Sequence, residues 1–175
     1  EKKLFYSYSL IGDSENIRNI RDQIKKISIS ESRVFINGPT GSGKELIARK
    51  IHKESKRKKE PFTVLNGALL DIKKYELELF GEEKKDGSIS YGALEKSNRG
   101  ILLIDEVSEI PLETQSKILR VLIDQKFKRI NGNHDINVDV RIICSSSKNI
   151  KKEIENGDFR EDLYHRLNVF EINIE

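Results

Sequence analysis

The stretch Gly38-Pro39-Thr40-Gly41-Ser42-Gly43-Lys44-Glu45 constrains this chain more than any other. It follows the apolar run Val34-Phe35-Ile36 and precedes a helical pattern through Leu46, Ile47 and Ile51. Strand, glycine-rich turn and helix, in that order, make a cradle for phosphate. The glycines let the backbone curl so that several N–H groups point inward. The helix N-terminus adds a positive dipole, and Lys44 adds a full charge suited to β- and γ-phosphates. The expected nucleotide contacts are therefore Gly38, Pro39, Thr40, Gly41, Ser42, Gly43, Lys44, Glu45 and Leu46. Glu45 stands where the general motif has Ser or Thr, so the hydroxyl that would ligate Mg²⁺ is missing. The metal then rests mainly on other groups, or reaches the Glu45 carboxylate through water. Pro39 fixes its own φ and stiffens the loop.

A phosphate loop needs acids opposite it. The run Ile101-Leu102-Leu103-Ile104 is apolar without alternation, as in a central strand buried on both faces, and it delivers Asp105-Glu106 at its C-terminal end. Asp105 is the expected Mg²⁺ holder, through water. Glu106 is the expected base that orients and polarises a water for in-line attack on the γ-phosphate.

The rest of the pattern supplies a frame for these two motifs. Ile17, Ile20, Ile24 and Ile27 recur at helical spacing behind a capping Asp13 or Ser14. Phe62-Thr63-Val64-Leu65, Val140-Arg141-Ile142-Ile143-Cys144 and residues 169–174 read as further strands. Residues 112–123 are helical, with Ile118, Leu119, Leu122 and Ile123 inward. Residues 150–156 form a helix closed by Gly157, and residues 159–167 another. Residues 126–130 and 136–138, around Asn131-Gly132, form a β-excursion. Strands alternating with helices imply an α/β fold: a mainly parallel five-stranded sheet covered by helices on both faces.

With 36% hydrophobic and 35% charged residues in 175, the chain suits one compact α/β domain and is too charged for a membrane protein. No apolar run approaches the roughly 20 residues of a membrane span. The lone Cys144 excludes an intrachain disulfide, and the three histidines are scattered, which argues against zinc. A reducing cytoplasm is the expected compartment, with no membrane association. The basic run at residues 53–59 lacks interleaved aromatics and reads as a solvated helix end and loop rather than a nucleic-acid patch. There is no methionine, and the strand-like residues 169–175 end the chain abruptly. Residues 1–175 are therefore expected to be one piece of a longer protein.

Beyond these local readings, the sequence resembles the AAA+ central domain of bacterial enhancer-binding proteins, the sigma-54 activators. The likeness rests on Leu10-Ile11-Gly12-Asp13-Ser14, Gly41-Ser42-Gly43-Lys44-Glu45, Glu78-Leu79-Phe80-Gly81, Leu103-Ile104-Asp105-Glu106 and Ile118-Leu119-Arg120-Val121-Leu122. It extends through the eleven residues from Phe159 to Val169. The resemblance implies a P-loop NTPase of the AAA+ class, with ATP and Mg²⁺ as ligands. It makes Glu45 usual after the lysine. It implies that Ile11 and Gly12 line the adenine pocket, and that Asn66 hydrogen-bonds the catalytic Glu106 until a partner is engaged. Arg160 and Arg166 would reach into a neighbouring subunit's site, where a trans arginine is worth roughly 10³–10⁵ in rate in related enzymes. The chain itself is then a partner, from dimer to hexameric ring.

Three departures from the family pattern shape the expectation. The family's Gly-Ala-Phe-Thr-Gly-Ala loop, which touches sigma-54, is absent; residues 82–94 are shorter and polar, so sigma-54 contact by the usual loop is not expected. The family's Thr-Asn after the fourth strand is Ser146-Ser147, so Ser147 takes the place of an Asn that senses the γ-phosphate or places the water, and Asn149 is two residues late. Pro39 stands where many members have Glu. Together these features resemble the NtrX-type branch of nitrogen-related response regulators. That likeness implies a receiver, this AAA+ core, a helical lid and a DNA-binding helix-turn-helix, with a sensor histidine kinase upstream and RNA polymerase as a further partner. Residues 1–175 would be the core without its lid, binding ATP, self-associating and hydrolysing weakly. Two alternatives stand beside this reading: an active ATPase that remodels a transcription complex through residues 84–91, and a scaffold with a vestigial site.

Overall fold

The computed structural model describes residues 15–69 and 71–174. Its centre is a five-stranded parallel sheet of β1 (Val34–Asn37), β2 (Phe62–Asn66), β5 (Ile101–Asp105), β8 (Arg141–Ser146) and β9 (Phe170–Asn173), in the order β2-β5-β8-β1-β9. Asn66 pairs with Asp105, Leu103 with Ile143, and Val34 with both Ile143 and Phe170.

Strand alternation sorts the core into two halves. Val34, Ile36, Ile101, Leu103, Ile143 and Ile172 pack against α1 (Glu15–Ser28) and α2 (Lys44–Glu54). Phe35, Leu102, Ile104, Ile142 and Cys144 face the other way. They meet α3 (Ile72–Phe80), α4 (Ala93–Lys96), α5 (Leu112–Asp124), α6 (Ile150–Glu155) and α7 (Glu161–Leu167). Helices thus cover both faces, as the alternation of patterns implies. On α1, Ile20, Ile24 and Ile27 are buried, which the helical spacing predicts. Asp13 and Ser14, the expected caps of that helix, lie outside the described residues.

One core assignment is corrected. Ile123 is 52% exposed, whereas Val121 and Leu122 are buried. Successive helical residues turn by about 100°, so 121, 122 and 123 cannot all face inward. Val121 takes the inward place because it lies one turn beyond Ile118, which is also buried.

The basic run is not wholly solvated either. Arg57 bonds Glu31 and Asp139 and donates to the carbonyls of Gly100 and Asp139. It ties the end of α2 to the edges of β5 and β8.

Between β2 and β5 the sequence pattern specifies no element, and the structure supplies several. Asp71 caps α3 by accepting from Lys74 N at 2.9 Å. Gly81 then opens a hairpin of β3 (Gly81–Glu83) and β4 (Ile89–Tyr91). A Cβ at Gly81 would fall 2.4 Å from Ser90 O, and its φ is +77°. The hairpin turn is closed by Lys84 N to Ser88 O and Gly87 N to Lys84 O, both at 2.9 Å. Asp86 accepts from Ser88 N and Oγ. A second hairpin, β6 (Lys126–Phe127) and β7 (Ile136–Asn137), is the predicted excursion. Arg129 joins the two hairpins. It bonds Glu83 and Glu95, and its guanidinium lies 5.4 Å from the Tyr91 ring centroid. No helix among the described residues is long and apolar enough to cross a membrane.

Candidate functional site

The C-terminal ends of β1, β2, β5 and β8 open into a cleft of about 710 Å³, the place where parallel α/β sheets gather ligands. Thr40, Gly41, Gly43, Lys44, Glu45 and Leu46 line one wall. Asn66, Asp105, Glu106 and Ser147 line the other, so residues from four separate strand ends meet here.

The loop leaves β1 at Gly38, whose N–H donates to Ser146 O at 3.2 Å. A side chain at Gly38 would sit 2.7 Å from Ser42 Oγ and 3.0 Å from Ile174 Cβ, so it would have to push both aside. Gly41 and Gly43 have φ of +79° and +92°, left-handed values that turn successive N–H groups to one side. Ser42 N closes the turn on Pro39 O at 3.1 Å. Lys44 is only 6% exposed, and its Nζ donates to Gly38 O at 2.8 Å and Pro39 O at 2.9 Å. Ser42 Oγ is buried and finds no hydrogen-bond partner among the described residues. A buried ammonium whose hydrogen bonds go to backbone carbonyls, an orphaned hydroxyl and left-handed glycines suit a polyanion.

The acids stand opposite. Ser145 Oγ donates to Asp105 Oδ1 and accepts from Glu106 N at 3.4 Å. Glu106 is left-handed, with φ +53° and ψ +53°. Its Oε1 lies 3.9 Å from Lys44 Nζ. Its Oε2 accepts from Ser147 Oγ at 2.8 Å and Ser147 N at 3.3 Å.

Other expected site residues make different contacts or lie outside the cleft. Asn66 sits at the end of β2, but its Oδ1 accepts from Ala68 N at 3.0 Å, and no Asn66–Glu106 hydrogen bond occurs among the described residues. The oxygen is taken by the turn that starts the short 3₁₀ segment Gly67–Leu69. Glu45 lines the cleft, yet its carboxylate pairs with Arg49 one turn along α2 at 3.0 Å. Asn149 caps α6 by accepting from Lys151 N and Lys152 N.

Arg160 and Arg166 do not line the cleft of their own chain. Arg160 forks onto Asp162 and donates to Ser116 Oγ at 2.9 Å. The Asp162 carboxylate raises the Arg160 pKa and is itself held below the usual carboxylate range. Arg166 is exposed at the end of α7; burial, and after it the charge of Arg166, lower the pKa of Arg33. Ile11 and Gly12 lie outside the described residues. The sequence reading missed Ala68 and Glu109, which also line the cleft; Glu109 pairs with Lys148 at 2.8 Å. Neither belongs to a motif, so no local signal marks them.

Comparison with known proteins decides what frame this geometry belongs to. The sigma-54 interaction domain pattern matches residues 10–173. The chain belongs to the sigma-54 interaction domain family. The nitrogen assimilation regulatory protein NtrX of Azorhizobium caulinodans is 44% identical over 99% of this chain and 38% of its own length. The DNA-binding transcriptional regulator NtrC of Salmonella typhimurium is 40% identical over 94% of this chain and 36% of its own. A crystal structure of NtrX from Brucella abortus in complex with ATP superposes with a TM-score of 0.90 at 45% identity, over 95% of this chain and 38% of that one. The chain thus spans well under half the length of these relatives. As a sigma-54 interaction domain it is a P-loop NTPase fold of the AAA+ class, and its parallel sheet and loop 38–45 are the parts that make it one. In this member of the family the hairpin carrying residues 84–88 ends in a polar turn. Its exposed apolar residues, Ile89 and Tyr91, sit on a strand rather than at the tip.

Proposed function

We propose that this chain is the ATP-binding core of a two-component transcriptional regulator, and that it self-associates and hydrolyses ATP weakly. The observation that carries the proposal is the Lys44 ammonium at the floor of the left-handed loop, facing Glu106 at 3.9 Å. In this reading N–H groups of residues 41–44 and Lys44 take the β- and γ-phosphates. Gly38, Pro39 and Thr40 shape the loop, and Leu46 flanks it. Ile11 and Gly12 would take the adenine. Asp105 would hold Mg²⁺ through water, its Oδ1 kept in place by Ser145. The metal would neutralise charge on the phosphate oxygens. Glu106 would accept the proton of the attacking water.

Hydrolysis would be completed by Arg160 and Arg166 of an adjoining subunit. Both lie away from their own cleft, which supports a role across an interface and makes turnover depend on dimers or rings. Arg160 would exchange its Asp162 partner for phosphate on assembly. The hairpin's closed polar turn supports a protein that does not press an aromatic loop into sigma-54. DNA binding, signal reception and closure by a helical lid would reside in the further length that such regulators have. Residues 1–175 would be the nucleotide-binding core between those parts.

Calorimetric titration of the gene's full-length product with Mg·ATP tests the proposal. Binding in the micromolar to millimolar range is expected, and Lys44→Ala should abolish it. Absence of binding at millimolar ATP would overturn it.

A further inference from the structure

We propose that Ser147 positions Glu106, the task that the family pattern gives to Asn66. The proposal rests on the reading of the cleft as an ATP-hydrolysing site and concerns how that site is aimed.

The backbone decides which neighbour Glu106 can reach. Asp105 ends β5 in register with Asn66 of β2. Glu106 is one residue further and left-handed, so the chain turns there and the side chain leaves the β2 side. It swings over the end of β8, which flanks β5 on its other edge. Ser145 lies in β8 and Ser147 one residue past its end, and the hydroxyls of both reach the acids. Ser145 meets Asp105 and Ser147 meets Glu106. Ser146 instead donates to Lys148 O at 3.0 Å. Ser145 of β8 and Ser147 just past its end therefore serve Asp105 of β5 and Glu106 just past its end, one for one.

The contact also splits the Glu106 carboxylate. Both Ser147 donors fall on Oε2, while Oε1 faces Lys44 in the cleft. One oxygen is anchored by the protein and the other is presented to the cleft, where it would take the proton of a water attacking the γ-phosphate. A serine hydroxyl reaches Glu106 from this position; it need not touch a γ-phosphate, as an asparagine there would. Ser147 is accordingly a positioning residue, acting through Glu106, and not a nucleotide contact as its sequence position suggests.

The test compares wild type, Ser147→Ala and Ser147→Thr in the full-length product. Turnover gives kcat and KM, calorimetry gives ATP and ADP affinities, and a crystal structure of Ser147→Ala grown without nucleotide gives the place of Glu106. Ser147→Ala should lower kcat roughly ten- to a hundredfold. KM and the ratio of ATP to ADP affinity should stay at wild-type values, and the Glu106 carboxylate should leave its present place. Ser147→Thr keeps the hydroxyl and should restore kcat. The proposal is overturned if Ser147→Ala weakens ATP more than ADP, which would mark a γ-phosphate sensor. It is overturned equally if Glu106 stays where it is without the hydroxyl. A wild type that binds ATP without turning it over would count against hydrolysis itself, and the crystallographic comparison would still decide the Ser147 contact.

Discussion

Arg141 is the most heavily engaged buried charge in the fold, and replacing it by Met gives the sharpest stability prediction. The residue is 2% exposed on β8, and burial pulls its pKa down. No carboxylate lies within salt-bridge distance of it among the described residues. Its guanidinium instead donates to three backbone carbonyls: Ile27 at 2.7 Å, Ser28 at 3.2 Å and Ser32 at 2.8 Å. Two of these end α1, so Arg141 caps that helix from the sheet and fixes it over the α2 side. Hydrogen bonds to a charged group are worth about 1.5–3 kcal/mol each, which naively suggests about 4.5–9 kcal/mol. Desolvating the guanidinium costs several kcal/mol, and Met recovers that. Ser32 is half-buried and can turn to water. Ile27 O keeps Ser30 N and Ser30 Oγ as donors, so what remains is the Ser28 carbonyl without a donor, a net loss of about 1–3 kcal/mol. Urea unfolding followed by circular dichroism checks it. With a slope of about 2 kcal/mol/M, the midpoint should fall by about 0.5–1.5 M at unchanged slope. Arg141→Lys should recover only part of the loss, because an ammonium cannot fork across three carbonyls. A midpoint for Arg141→Met equal to wild type would refute the reasoning.

Three further outcomes are expected. Glu106→Gln keeps the shape of the side chain but cannot take a proton; steady-state turnover should fall by roughly 10²–10⁴ while calorimetric ATP affinity holds, and retained turnover would remove Glu106 from the mechanism. Gly100→Ala puts a Cβ 1.9 Å from Pro61 O, the carbonyl that accepts from Ile101 N. The start of the β2–β5 pairing must open, so the loss should be on the order of 4 kcal/mol, visible as a collapsed urea midpoint or insoluble protein. Cys144 is fully buried, and burial pushes its thiol pKa up. Alkylation should therefore run roughly 10³-fold or more slower than in urea-unfolded chain, and rapid stoichiometric labelling of native protein would contradict the packing.

Much of this molecule is legible in local pattern. The apolar run 101–104 announces a strand buried on both faces because the burial of each residue follows from its neighbours' alternation or lack of it. The loop 38–45 is equally plain, since glycines in left-handed turns and a lysine at a helix start are local demands. The hairpin at 81–91 was not legible: three-residue strands of mixed polarity carry no periodic signal, and Arg129 holds them from outside the segment. Ile123 shows the limit within a helix, where an apolar residue past the edge of the buried stripe looks like its neighbours and faces water.

The sequence by itself determined the strand–loop–helix cradle, the acid pair at the end of an apolar strand, and the α/β alternation that brings them to one end of a sheet. Only the tertiary structure decided which side chain serves which. Ser147 and Glu106 are 41 residues apart, and Arg141 and Ile27 are 114 apart. These partnerships depend on strand order, with β8 between β5 and β1, and on one left-handed residue that turns Glu106 toward β8 and away from Asn66. Periodicity records which face of an element is apolar. It does not record which element lies beside it, and hydrogen bonds, being short and directional, are settled by that neighbour.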